Sequence, residues 1–420
     1  MRICLSHSLV GVLAGLLLVA AREQDAMMTF EEFVTHYQKS YPDPFENQRR
    51  QAIFEQNRQT IIEHNQQRQR GHSLGVNWWA DHEAEELPRG YDKSQSTLRL
   101  SASVLQQEKP DLLLYAHLPF TVEPVHLLPK AVDWRAAGVT TPVKNQGRCG
   151  SCWAFASTSV LESHVALTTG KLMTLSVQEL VSCAPNPRHC GGTGGCAGAT
   201  AELAFQHVAE HGMVQEWEFG YQSYHGEAIN CSLSETTTEG ITGLRGGVLS
   251  TGDTAASTQY TGAVAGIEGY MTLPSNDYVA LMNAVAKHGP VAVSVACLPW
   301  HLYQGGVFYA PLNNTRATDI DHLVVLEGYG EDPMTGEPYW LIRNSWSPMW
   351  GEDGYIRLWR VDPSTLSDPE MDCGIDTTPA DGIACTQEDD GKPIIPPPVK
   401  ICGNSGILYD ATIPIGGHLL

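Results

Sequence analysis

The sequence predicts an α+β protein of two lobes, preceded by a separate helical segment. Three observations predict it. Helical spacing prevails up to about Gly212, strand-like runs prevail after it, and the texture turns glycine-rich and cysteine-bearing from Leu128 onward. At 420 residues the chain has room for a large core and more than one folding unit.

The chain opens like a targeting segment. Arg2 gives a positive start, Leu9 to Val19 is apolar, and Val19-Ala20-Ala21 reads as a small-residue cleavage site. Residues 1–21 are therefore expected to be a signal peptide and the protein to enter the secretory route, ending outside the cell or in a lysosome or vacuole lumen. The apolar run is too short for a membrane span, and no later stretch is long enough. Thr29 to Tyr41 then carries Phe30, Phe33, Val34 and Tyr37 at helical spacing, with Thr29-x-x-Glu32 as a capping box and Pro42 and Pro44 as stops. A longer helix fits Phe45 to about Arg70, with Ile53, Phe54, Ile61 and Ile62 on its apolar side and Glu46–Arg50 as an i, i+4 pair. Residues 91–127 show no periodic pattern. Residues 22–127 thus read as a pro-segment with its linker, and 128–420 as the mature domain, with an insertion or extension from about 377.

Within the mature domain, Cys152 to about Thr169 predicts a helix with Gly170 as its C-cap. Ser176–Ser182 and Gly198–Glu210 predict two more. Val291–Cys297, Leu323–Glu327, Tyr339–Arg343 and Gly354–Trp359 are strand-like and broken by Gly and Pro. Residues 241–260 read as a surface loop, and Glu388–Lys400 as extended chain.

Composition narrows the class. A formal charge of −21 argues against nucleic acid or anionic membranes as partners, because phosphate surfaces attract excess Lys and Arg. Once Cys4 leaves with the signal peptide, ten cysteines remain, which suits an oxidising compartment. If Cys152 is a free thiol, nine are left, so at least one more lacks an intramolecular partner. Asn313-Asn314-Thr315 is a glycosylation acceptor motif, and Asn230-Cys231-Ser232 a poorer one.

Chemistry concentrates in Lys144-Asn-Gln-Gly-Arg-Cys-Gly-Ser-Cys-Trp-Ala-Phe155. Cys152 falls where a helix begins, and backbone N–H groups there favour thiolate over thiol. Gln146 offers an amide that suits an oxyanion. A cysteine nucleophile needs a base, and His322 opens a strand in Asp321-His322-Leu323-Val324-Val325. Asn344, in Arg343-Asn344-Ser345-Trp346, ends a neighbouring strand and can orient an imidazole. Trp346 and Trp350 can shield that contact from water.

These blocks resemble the papain family of cysteine proteases, of the cathepsin L-like type. Cys-Gly-Ser-Cys-Trp around Cys152 is a known signature of that family. Asp321-His322-x-Val324 and Asn344-Ser-Trp-x-x-x-Trp-Gly351 resemble its other two blocks. Glu46, Arg50, Phe54, Asn57, Ile61 and Asn65 keep the spacing of the long pro-segment helix. Gly75-x-Asn77-x-Trp79-x-Asp81 resembles the second pro-segment motif, with Trp79 where Phe is usual.

The resemblance implies a two-lobed papain-like fold, with a helical left lobe and a β-barrel-like right lobe, behind a helical pro-domain. It implies a cysteine endopeptidase made as an inhibited zymogen, with Cys152 as nucleophile, His322 as base and then acid, and Asn344 as orienter. Gln146 and the Cys152 N–H would form the oxyanion hole. It further implies Cys149–Cys196 and Cys183–Cys231 disulfides, and substrate contacts at Gly198, Ala199, Asp321, Trp346 and Thr378. Polypeptide substrates, the chain's own pro-segment and cystatin-like inhibitors are the implied partners of a monomer without cofactor or metal.

Departures bear on specificity. His322 lies 170 residues and Asn344 192 residues after Cys152, beyond the roughly 130–150 usual for the family. Ala199 replaces the second glycine of the substrate-binding wall. The floor of the pocket for the second residue upstream of the cut maps to Thr378 by one alignment and near Asp410 by another. Cys190, Cys297, Cys385 and Cys402 have no family counterpart.

Other classes fit less well. Cys149-x-x-Cys152 lacks the βαβ setting of a dithiol oxidoreductase, with Trp153 after rather than before the pair. His189-Cys190 near Cys183 and Cys196 finds no second pair to complete a zinc site. An inactive homologue acting as a binding protein would be expected to lose one of the four catalytic positions, and all four are filled. Acidification is expected to loosen the pro-segment by protonating its carboxylates.

Overall fold

A computed structural model describes residues 28–67, 71–90, 118–238, 257–312 and 317–420. The signal peptide (1–21), most of the 91–127 linker, the Asn313 acceptor and most of the 241–260 loop lie outside the described residues.

The pro-domain starts with the helix Phe30–His36, whose Thr29 cap makes both bonds of the capping box with Glu32. Pro44–Gln66 follows as a 23-residue helix capped by Asp43. Phe30 and Phe33 meet Phe54 at ring separations of 5.7 and 4.8 Å, and Ile61, Leu74 and Val76 complete a small core. Asp81 is buried against Lys39, Tyr41 and His82, while Asn57 ties the Ala80 and His82 carbonyls at 2.9 Å each. The spacing of the pro-segment motifs is thus a packing pattern: helix residues grip the turn that follows.

From that turn the pro-domain joins the mature domain. Strand His72–Leu74 adds antiparallel to the edge strand Tyr303–Phe308. The two backbones approach so closely that a Cβ at Gly306 (φ +91°) would lie 2.3 Å from the Gly71 carbonyl. Trp79 enters the core of the strand-rich lobe, which explains the tolerance for a larger ring at that motif position.

The left lobe is built on the helix Cys152–Thr169, which ends at Gly170 in the left-handed conformation. Every residue from Cys152 to Ala166 is buried, because the helix lies between the lobes rather than on a surface. Val177–Cys183 and Ala201–His211 pack beside it. The right lobe carries a mixed sheet in the order 72–74, 303–308, 355–359, 338–343, 322–331, 291–295, 411–415, 269–272, with 132–133 paired to 322–331. The pairing of 355–359 with 303–308 is parallel and the other pairings are antiparallel.

This sheet corrects one expectation. The right lobe is not barrel-like: no sheet closes on itself among the described residues. One end is taken by the pro-segment strand, and the other, Gly269–Thr272, lies against the left-lobe helix Ala201–His211. The two ends are therefore held apart by different partners. Two elements go beyond the sequence expectations. Helix Tyr278–Lys287, capped by Asp277, buries Tyr278, Leu281, Met282 and Val285, and the sequence reading passed over it. Strand Ala411–Ile415 returns to the main sheet after a disulfide-tied hairpin.

Replacing Phe54 by Ala empties the centre of the pro-domain core and should destabilise it by about 3–5 kcal/mol. Thermal melting of the full chain, silenced by Cys152→Ala, should show an early pro-domain transition absent from the parent.

Candidate active site

Strands His322–Glu331 and Pro338–Arg343 pair antiparallel, so His322 at the start of one comes beside Asn344 just past the end of the other. His322 Nε2 donates to Asn344 Oδ1 at 2.8 Å, and the Ser345 N–H donates to the same oxygen at 2.7 Å. That bond leaves Nδ1 as the unprotonated nitrogen, and Nδ1 has no hydrogen-bond partner. The Trp346 ring stacks on the imidazole at 4.9 Å and Trp300 meets it edge-on at 6.5 Å. Cys152 arrives from the left lobe, and the Leu323 N–H donates to its sulfur at 3.5 Å.

Gln146 is fixed on all sides. Its Nε2 donates to the Cys149 carbonyl at 2.9 Å and its Oε1 accepts from Ser345 Oγ at 2.6 Å. Its own carbonyl accepts from Tyr221 Oη at 2.7 Å, and Tyr221 is in turn bonded to Ser151 at 2.8 Å. The amide is held by both lobes before any substrate arrives.

The pro-segment covers this centre. Trp346 Nε1 donates to the Pro88 carbonyl at 2.9 Å, and the Gly90 N–H donates to the Asp321 carbonyl at 2.9 Å. Between them Arg89, itself buried, pairs with the Asp321 carboxylate, whose other oxygen accepts from the Cys297 N–H at 3.2 Å. A Cβ at Gly90 would lie 3.6 Å from Cys152 Sγ, so main chain rests on the thiol. Burial pushes the Cys152 thiol up to about 12, although the Leu323, Trp153 and Cys152 N–H groups oppose it. Burial pushes His322 down to about 4, against the pull of Asn344. In this covered form the pair is stored neutral. The helix start at Cys152 favours a thiolate, as its position predicts, but desolvation outweighs it.

The other expected contacts are distributed along the cleft. Gly198 (φ +86°) has no room for a side chain: a Cβ would be 2.3 Å from the Gly191 carbonyl and 2.8 Å from Gly90. Ala199 beside it is buried. Thr378 is bonded on the right-lobe side, its Oγ1 donating to Asp319 at 2.9 Å. Asp410 accepts from Ser294 Oγ, and burial with the nearby Glu202 charge pushes its carboxyl up to about 8. Cys149–Cys196 and Cys183–Cys231 are bonded, as are Cys190–Cys385 and Cys373–Cys402. Cys297 is the second free thiol and is buried. Sequence reasoning missed Arg89, Ser345 and Tyr221, which act through partners far away in the chain and carry no local signature. Among the described residues no group of three or more His, Cys, Asp or Glu could hold a metal, and no helix is long and apolar enough to cross a membrane.

The profile of the papain family cysteine proteases matches residues 128–383, and that of the cathepsin propeptide inhibitor domain matches residues 30–87. Cysteine protease XCP2 of Arabidopsis thaliana is 31% identical over 349 residues, covering 82% of this chain and 83% of the relative. Oryzain beta chain of Oryza sativa is 35% identical over 293 residues, 69% of this chain but only 52% of the relative. Among solved structures, a recombinant stem bromelain precursor is 26% identical with a TM-score of 0.61, covering 92% of this chain and 97% of that one. Digestive procathepsin L 3 of Tenebrio molitor is 27% identical, also with a TM-score of 0.61 and the same coverage. The chain belongs to the papain family of cysteine proteases and carries the family's inhibitory propeptide. It is a cysteine endopeptidase made as a zymogen.

Replacing Gln146 by Ala should lower kcat of the processed enzyme about 10²–10³-fold with KM little changed, the cost of losing one oxyanion donor. Steady-state kinetics on a fluorogenic peptide checks it.

Proposed function

We propose that Cys152, His322, Asn344 and Gln146 perform acyl transfer from a peptide to water. His322 Nδ1 takes the thiol proton, and Cys152 Sγ attacks the scissile carbonyl carbon. The oxyanion accepts hydrogen bonds from Gln146 Nε2 and the Cys152 N–H. As the C–N bond breaks, His322 returns its proton to the leaving amine, and a thioester remains. His322 then deprotonates a water that attacks the thioester, releasing the acid and restoring the thiol. The observation that carries this reading is the His322 ring, tied at Nε2 to Asn344 and unpartnered at Nδ1, with the sulfur of Cys152, at a helix start, held on the N–H of the next residue, Leu323.

The same reading assigns subsites. Residues upstream of the cut run along Gly198–Ala199, with the second residue's pocket floored by Asp410. Gly406–Asp410 leads directly into the main-sheet strand Ala411–Ile415, which favours Asp410 over Thr378 as that floor. The leaving side runs past Trp346. The pro-segment passes Trp346 at Pro88 and Gly198 at Gly90, opposite to a substrate, so none of its peptide bonds is presented for attack. Residues 22–127 are the part removed on activation, and 128–420 the mature enzyme. Four disulfides belong to an oxidising compartment, in keeping with a secretory route to the outside or to a lysosome or vacuole lumen.

Acid activation is better assigned to histidines than to carboxylates. Burial alone would raise Glu86, but Arg50, the Glu83 N–H and Arg49 bring it down to about 2. These partners all belong to the pro-segment, so its contribution to the pro-domain fold is complete above the ordinary carboxylate pKa of about 4.3 and is lost only toward pH 2. His301 of the mature domain donates through Nε2 to the Trp79 carbonyl of the pro-segment at 2.8 Å, and burial lowers its pKa to about 4. His82, half-buried beside it, is also lowered by burial. A buried neutral imidazole contributes stability above its ordinary pKa of about 6.5 and loses it as pH falls through the lowered value. His301→Gln, which keeps a donor and cannot titrate, should shift the midpoint of self-processing down by roughly half a pH unit or more. Gel-monitored processing from neutral to acid pH checks it, and an unchanged midpoint would remove His301 from the switch.

A further inference from the structure

The segment between the paired strands Cys373–Asp376 and Val399–Cys402 leaves the right lobe, crosses the cleft and returns. Its base is tied by Cys373–Cys402, and its far side is bonded to the left lobe by Cys190–Cys385. Backbone bonds reinforce that landing: Gly191 N–H to the Ala384 carbonyl at 3.0 Å, Thr386 N–H to His189 at 3.2 Å, and Gln387 N–H to Arg188 at 3.0 Å. On the right-lobe side, Asp376 accepts the Ile320 N–H at 3.3 Å and Thr378 bonds Asp319.

Gly382 fills the gap between. A Cβ there would lie 2.3 Å from the Ile320 carbonyl, and a Cβ at Gly191 would lie 2.6 Å from the Gly382 carbonyl. Ile320 precedes Asp321, whose carbonyl holds Gly90. Gly191 touches both Gly198 and Ala199, which form the opposite wall. One step along the cleft from Gly90, away from Trp346, the space between the lobes is therefore occupied by main chain that is covalently pinned on both sides.

We propose that this strap ends the cleft on the upstream side, so that the mature enzyme reads about two residues before the cut. The proposal rests on the subsite assignment above. Chains with longer upstream segments must turn out of the cleft at Gly382 and lose contact there.

The test uses processed enzyme and N-acetylated peptides sharing one scissile sequence, with one to four residues upstream. kcat/KM should peak at two residues and fall about tenfold, close to 1.4 kcal/mol, on adding a third. Cys190→Ser with Cys385→Ser should unpin the strap and bring longer peptides up to the rate of the two-residue one. Equal rates with two, three and four upstream residues in the parent enzyme would overturn the strap proposal and leave the protease reading intact. Failure to cut any peptide would overturn that reading itself.

Discussion

Burial of the Cys152 sulfur beneath Pro88–Gly90 is the contact on which the rest of the structure depends. A thiol at a helix start, next to an oriented histidine, is chemically poised to ionise. Placing peptide main chain on it removes the water that an ionised pair requires, and the pair stays neutral. Holding peptide over a catalytic thiol without being cut requires a reversed path and firm anchoring. Trp346, the Asp321 carbonyl and the Arg89–Asp321 pair supply the anchoring at the centre. The aromatic core of the pro-domain and its strand on Tyr303–Phe308 supply it at a distance.

The groups proposed for catalysis come from different lobes, so their geometry is a property of the lobe interface. Cys152 and Gln146 belong to the left side, His322, Asn344 and Ser345 to the right. Ser345–Gln146 and Leu323–Cys152 are hydrogen bonds across that boundary. The Cys190–Cys385 bridge crosses it covalently at one end of the cleft. The same bridge that fixes cleft width also carries the strap, so rigidity and restricted access arise from one insertion.

Much of this was legible in the sequence because the key residues sit in short contiguous blocks. Cys149-Gly-Ser-Cys152-Trp, Asp321-His322 and Asn344-Ser-Trp346 each announce themselves locally, and strand pairing then brings them together. The pro-segment helices were legible through Thr29, Pro44 and the Phe54–Ile61 spacing. What was illegible depends on pairings distant in sequence. Cys190 and Cys385 are 195 residues apart, and nothing local links them. Arg89 meets an aspartate 232 positions away. The barrel expectation failed for a similar reason, since the partners of the two sheet edges lie in the pro-segment and the other lobe.

We infer that the pro-segment silences the enzyme by desolvating Cys152 as well as by blocking the cleft. The direct measurement is the rate at which a small uncharged alkylating agent modifies Cys152 near pH 7 in the intact zymogen and in the processed enzyme, located by peptide mapping. The account predicts alkylation at least about a hundredfold slower in the zymogen, with a rate that rises with pH up to the limit of folding. Equal rates in the two forms, or a zymogen rate already flat with pH near neutrality, would show an ionised thiol beneath the pro-segment and contradict it.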